Sequence, residues 1–282
     1  MDEWIEWNWV RLLNMDALLF QRDDIKSPSL RIFIFHHAGG SHFIYKSWVP
    51  FFPDNWDVCL VEYPGRGINA EHKLIDDIPL LAQRLLSQLT PYVDEPFIFF
   101  GHSMGALVAY EITQLLRDHH LPQPIWLGVS GRANPGFRPE FKRHLLADEA
   151  LKRELYRLGG VPDSLDRFPD LWDTFLPLIR NDLKAVENWR GGSSHVKLSI
   201  PISTFCADCD PLISQHDIRK WKEFSCGNTC HHDFEGDHFY FFENEELLVS
   251  LIVKDVRASL LDTEKSTLAK DTKVWTAEID SD

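Results

Sequence analysis

The chain has 282 residues, 44% hydrophobic and 12% aromatic, which is enough to bury a large core and too apolar for a disordered chain. Its formal charge of -14 speaks against nucleic acid, whose phosphates need a basic surface, and against an anionic membrane surface. No run approaches the roughly 18 apolar residues of a membrane span. The acidic start Met1-Asp2-Glu3-Trp4 also lacks the basic-then-apolar order of a secretory signal, so the expected compartment is the cytoplasm.

In chain order, strands are expected at Leu30–Phe35, Asp57–Glu62, Pro96–Phe100, Ile125–Ser130, Ile202–Cys206 and Thr229–Phe234. Most are continuous apolar runs, the pattern of strands covered on both faces, and amphipathic stretches separate them. Helices are expected over Ile78–Leu89 behind an Asp77 cap, over Ala106–Leu116, and from Glu245 to Leu261, where Leu248, Ile252, Val256 and Leu260 form a stripe. The alternation predicts one α/β domain over 1–282 with a mostly parallel sheet. Two features stand outside it. Residues 132–194 lack a good strand but carry helical patterns, which predicts a helical lid over a site. The polar tail 262–282 is expected to fray.

Phe97-Ile98-Phe99-Phe100 runs directly into Gly101-His102-Ser103-Met104-Gly105-Ala106, a G-x-S-x-G turn between a strand and a helix. Such a turn strains the serine backbone and lifts Oγ clear of the sheet, which makes Ser103 the candidate nucleophile. A serine needs a base and an orienting acid, and in the α/β-hydrolase fold these follow in the order Ser, Asp or Glu, His. Asp210, in Asp210-Pro211 beyond the fifth strand, and His238, in Gly236-Asp237-His238 beyond the sixth, meet that order. Asp208 is the rival acid. His231 and His232 lie inside a strand, and His102 would point away from the site. The oxyanion hole is expected from the Met104 N–H, next after the nucleophile, and the Ala38 N–H in the loop His36-His37-Ala38-Gly39-Gly40-Ser41.

Cys206-x-x-Cys209 and Cys226-x-x-x-Cys230 followed by His231 have a spacing that would allow zinc. Buried thiols at Cys206 and Cys230 account for the same residues without metal, so no metal is expected.

Phe35-His36-His37-Ala38-Gly39-Gly40-Ser41, Tyr63-Pro64-Gly65-Arg66-Gly67, the Ser103 turn, Ser130-Gly131-Arg132, Leu158-Gly159-Gly160-Val161-Pro162, Asp210-Pro211 and Gly236–Phe239 together resemble type II thioesterases. These are the stand-alone editing enzymes of nonribosomal peptide and polyketide synthesis. The resemblance runs from Leu30 to Leu261. The chain departs from the family at His36 or His37, where proline is usual, and at Ala207 and Asp237, where glycine is usual. The resemblance implies hydrolysis of acyl groups from the phosphopantetheine arm of an acyl or peptidyl carrier protein, with no cofactor beyond that arm.

Carrier proteins are commonly acidic. The cluster Arg132, Arg138, Lys142, Arg143 and His144 is therefore the expected docking patch, against the alternative of an ordinary solvated charge run. Phe168, Trp172, Phe175 and Leu176 either line an acyl pocket or pack the lid. A self-contained site under a lid works in a monomer. The triad alone leaves open an esterase or lipase of small molecules, an acyltransferase, and a silent binding protein on the same scaffold.

Overall fold

The computed structural model describes residues 17–22, 25, 27–161, 165, 167–191 and 196–279, with side chains described as far as Asp262. The strands are β1 (Leu18–Phe20), β2 (Leu30–Phe35), β3 (Trp56–Val61), β4 (Phe97–His102), β5 (Leu127–Ser130), β6 (Ile202–Ala207) and β7 (Thr229–Phe234). They form one sheet in the order β1-β3-β2-β4-β5-β6-β7, parallel except where β1 pairs antiparallel with β3. The six expected strands are present, and all are shifted by two residues or fewer at either end. Strand β1 is the addition. Three residues are too few to carry a periodicity.

The helices are α1 (Ile78–Leu89), α2 (Met104–Asp118), α3 (Asp148–Arg157), α4 (Pro169–Asn188), α5 (Gln215–Arg219) and α6 (Glu245–Ile279), with a run of 3-10 turns at His42–Phe51. Asp77 caps α1 by accepting the Leu80 N–H at 2.8 Å. Helix α6 continues well past Leu261, because nothing from Asp262 to Ile279 is glycine or proline. Side chains beyond Asp262 lie outside the described residues, as does Pro162 of the expected lid motif. No helix among the described residues is long and apolar enough to cross a membrane.

Apolar side chains fill both faces of the sheet. One face packs on α1 and α2 through Leu81, Leu85, Leu107 and Ile112. The other packs on α6 and the 3-10 turns through Tyr45, Trp48, Leu248 and Ile252. A third, separate cluster (Leu151, Leu155, Trp172 and Leu176) joins α3 to α4. The insertion therefore holds a small core of its own.

The strand order places the site. After β2 the chain steps to one side of the sheet, and after β3 it returns to the other, so the loops following β2 and β4 part and leave a crevice. Phe35 pairs with Gly101, so the two loops leave the sheet side by side. The start of α2 then presses on the end of β2. A Cβ at Gly105 would stand 2.0 Å from the Phe35 carbonyl oxygen, and one at Gly101 would stand 2.3 Å from the Gly105 backbone. Both glycines of the turn are thus required by close backbone approach. We expect Gly105→Ala to lower stability by about 1–3 kcal/mol and to abolish turnover; a urea midpoint unchanged from the parent would contradict this contact.

Candidate active site

Ser103 sits between β4 and α2 with φ 53° and ψ -110°, a left-handed region that costs a non-glycine residue energy. Its N–H donates to the Ser130 carbonyl at 2.8 Å, which fixes the turn against β5. Met104 opens α2, so its N–H belongs to the first turn, whose donors a helix leaves without intrahelical partners. His102 faces inward, fully buried, with Nδ1 2.8 Å from Ser130 Oγ, which in turn meets the Tyr240 hydroxyl at 2.6 Å. Burial holds the His102 imidazole well below its ordinary pKa.

Ala207 pairs with Phe234 at the ends of β6 and β7, so the turns beyond them run together. His238 Nδ1 donates to Asp210 Oδ2 at 2.7 Å, and both side chains are buried. A carboxylate can only accept, so Nδ1 carries the proton and Nε2 is left as the basic nitrogen. Asp210 Oδ1 takes the Leu212 N–H at 2.8 Å, which locks the carboxylate. Asp208 is exposed and accepts the Gly236 N–H at 3.1 Å. The geometry thus pairs Asp210, and not its rival, with the histidine. His231 and His232 instead meet Asp233 and Asp255.

The loop from His36 to His42 is held at several points. Glu62 receives His42 Nδ1 and lies 3.4 Å from His36 Nε2. The Tyr63 hydroxyl donates to the His36 carbonyl at 3.0 Å. The remaining hold comes from the insertion. Asp182 of α4, fully buried, accepts the Gly39 N–H at 2.8 Å and both ends of the Arg66 guanidinium, at 2.6 and 2.8 Å. Arg66 also donates to the Gly40 carbonyl at 3.3 Å. A bidentate pair of this kind is strong and directional. Local pattern did not single out Asp182, although an acid standing four residues after Leu178 and four before Val186 on a buried helix face is a signal of a buried charge.

Two cavities, of about 90 and 70 Å3, meet at Ser103, His238, Ala38, Leu158, Leu183 and Leu212. One runs under the insertion past Leu155, Val161, Ile179 and Phe239. The other runs past Phe137, Pro139, Arg132, Arg143, Val186 and Glu187. A wider open depression between Phe52 and Arg257 contains none of the site residues. Trp172 and Leu176 pack α3 on α4, while Phe168 and Phe175 are exposed. None of the four lines either cavity.

Arg132 corrects the expected docking patch. It is only 6% exposed and faces the second cavity, out of reach of a docking protein. Arg143 is mostly committed to Glu154 at 2.8 Å, and His144 to Glu187. Arg138 is exposed but donates to the Pro135, Phe137 and Arg190 carbonyls, and Lys142 reaches Asn188 at 3.0 Å.

The cysteine pattern does not assemble. Cys206 is buried, but Cys230, expected to be buried, is exposed with Cys209 and Cys226, since its strand lies at the sheet edge. Cys206, His231 and Asp233 do gather within 4.8 Å. Burial, and then the hydrogen bond to Asp233, push the Cys206 thiol up to about 12, so it stays protonated and donates to that carboxylate at 3.3 Å.

The family described as Thioesterase domain matches residues 30–256. The chain belongs to this family. Among curated relatives it is 31% identical to the thioesterase PikA5 of Streptomyces venezuelae, over 82% of this chain and 83% of that one. It is 28% identical to the gramicidin S biosynthesis protein GrsT of Aneurinibacillus migulanus, over 83% and 91%. Among solved structures, the RedJ thioesterase of the prodiginine pathway of Streptomyces coelicolor superposes with a TM-score of 0.77 at 29% identity, covering 81% of this chain and 91% of its own. The type II thioesterase BorB gives 0.75 at 29%, covering 86% and 97%. The fold is that of the α/β-hydrolases, and the enzyme is a thioester hydrolase.

Two expectations follow for this thioesterase. Asp182→Asn leaves the Arg66 charge buried without its partner, so stability should fall by about 3–5 kcal/mol, with kcat falling as the Gly39 loop loosens; an unaltered melting temperature would refute the tie. Burial, mainly, lowers the His37 pKa from 6.5 to about 3. The folded chain therefore keeps His37 neutral where the unfolded chain binds a proton. Its share of stability is complete above 6.5 and is lost as the pH falls from there towards about 3, by about 1.4 kcal/mol per pH unit. His37→Asn should flatten that slope in urea titrations at successive pH values.

Proposed function

We propose that the enzyme hydrolyses acyl groups from the phosphopantetheine arm of acyl or peptidyl carrier proteins, for editing or release in nonribosomal peptide or polyketide synthesis. The observation that carries this reading is the buried Asp210–His238 pair, with His238 and Ser103 lining together the place where two cavities meet, one branch for each side of a thioester. The biosynthetic pathways in the names of GrsT and RedJ support it.

In this scheme His238 Nε2 takes the Ser103 proton as Oγ attacks the thioester carbonyl, and the Asp210 carboxylate stabilises the imidazolium that forms. The Met104 and Ala38 N–H groups receive the oxyanion. Collapse of the tetrahedral intermediate expels the thiolate, which takes the proton back from His238. Water, deprotonated by His238, then attacks the acyl-enzyme, and the acid and Ser103 are released. Side chains and water suffice for every step, and the phosphopantetheine belongs to the substrate. A single copy of the chain holds the full set, so the enzyme would work as a monomer. The insertion serves as a lid over the acyl branch.

The test compares an acyl-loaded carrier protein, the matching acyl-pantetheine and an oxygen ester of the same acyl group. Ser103→Ala should lose at least about 1000-fold in kcat on the first two. Faster turnover of the oxygen ester than of either thioester would instead make the enzyme a small-molecule esterase. For docking, Arg138 and Lys142 remain exposed or half-exposed beside the exposed Phe141 and Leu145. Arg138→Glu with Lys142→Glu should raise KM for the carrier substrate about 10-fold and leave acyl-pantetheine unaffected. Equal loss on both would remove the patch from the scheme.

A further inference from the structure

Arg132 is a buried cation that the scheme above does not use. It follows Gly131 at the end of β5, and the Trp221 indole N–H, donating to its carbonyl at 2.9 Å, pins its backbone. Its side chain is enclosed, yet among the described residues it makes no hydrogen bond, and its Nε is a buried donor without a partner. Glu187, the carboxylate whose charge reaches Arg132, is taken. Its Oε1 accepts the Arg143 N–H, and its Oε2 accepts the N–H and ring Nδ1 of His144. Burial, and then the neighbouring Arg138, lower the Arg132 pKa to about 10, so the guanidinium stays charged at neutral pH. A buried charge with unused donors is costly to keep unless something else supplies the acceptors.

Arg132 lines the second cavity together with Ser103 and His238. The two branches differ in chemistry. Leu155, Val161, Ile179 and Phe239 line the first, which among the described residues has no Arg, Lys, Asp or Glu, whereas the second, apolar along Phe137, Pro139, Val186 and Ile213, also carries Arg132, Arg143 and Glu187. A thioester has two arms, and an aliphatic acyl chain suits the first branch. A pantetheine thiol carries amide groups, the nearest separated from sulfur by only an ethylene spacer, so that amide falls close to the serine. The amide carbonyl is a strong acceptor with no positive charge to repel the guanidinium.

We propose that the branch holding Arg132 receives the pantetheine arm and that the Arg132 guanidinium donates to its amide carbonyl, making Arg132 the residue that selects a pantetheine thiol over a plain one. The proposal rests on the reading that the substrate is a pantetheine thioester. It assigns Arg132 to substrate binding inside the site, separate from any surface that docks the carrier protein.

The test uses the full chain and one acyl group presented as its pantetheine thioester and as its ethanethiol thioester, which has no acceptor in the thiol arm. A carboxy-terminated acyl group on ethanethiol is the third substrate, since an acyl carboxylate offers the same acceptor oxygen from the other arm. Arg132→Met should lower kcat/KM on the pantetheine substrate about 10- to 100-fold, mainly through KM, and leave the ethanethiol substrate within about 3-fold. Arg132→Lys, which keeps a donor and the charge, should recover part of the difference; it also reads the same ratio if the methionine variant melts early. Equal loss on the pantetheine and ethanethiol substrates would reduce Arg132 to a structural role. Loss confined to the carboxy-terminated chain would assign the arginine to the acyl arm. Either result overturns the proposal. A wild-type enzyme that hydrolyses ethanethiol thioesters but not pantetheine ones defeats the functional reading itself, whereas a wild-type preference for pantetheine that survives in Arg132→Met defeats only the role of Arg132.

Discussion

The whole site depends on how closely α2 approaches the end of β2. Gly105 lies so near the Phe35 carbonyl that no side chain fits between them. That contact sets the helix start beside the loop that leaves β2, and so brings the Met104 N–H towards the same space as Ala38. The parallel pairing of Phe35 with Gly101 fixes the level at which the two loops emerge. Strain at Ser103 is the result, and the hydrogen bond to Ser130 and the weight of buried apolar contacts on α2 sustain it. The placement of Ser103, Met104 and Ala38 therefore follows from sheet geometry, whereas that of Asp210 and His238 follows from strand register at β6 and β7.

The insertion plays a different part. It carries its own small core, but it also contributes Asp182 to the Gly39 loop and approaches the histidine turn closely. A Cβ at Gly159 would stand 2.4 Å from Asp237 Oδ2, and one at Gly160 would stand 2.5 Å from the Phe239 ring. It is thus strapped to both loops that flank the serine. Asp237 fits where it does because Gly159 leaves room for it.

Most of the scaffold was legible in the sequence because it is local. Leu30–Phe35 and Thr229–Phe234 are bounded where the pattern places them, and Asp77 caps α1 as its position suggests. The Asp210–His238 pairing could be anticipated because each residue follows a strand end at a set interval. Long-range burial was not legible. Arg132 stands in a basic stretch and reads as surface, yet the end of β5 delivers it to the interior. Whether Trp172 and Leu176 line a pocket or pack the lid stayed open in the sequence, because two apolar faces of one helix look alike until its partner is known. The end of α6 was missed for the opposite reason: a polar segment without breakers stays helical beyond the last residue that packs on the sheet.

The Arg66–Asp182 pair joins residues 116 positions apart, and the Gly39–Asp182 bond spans 143. Closing such distances costs chain entropy, which these bonds and the burial around them must offset. One carboxylate on the insertion thereby serves two groups at once, the Arg66 guanidinium and the Gly39 N–H. Were α4 to lift from the sheet, both would lose that partner together, so opening of the insertion and loosening of the loop after β2 are a single event.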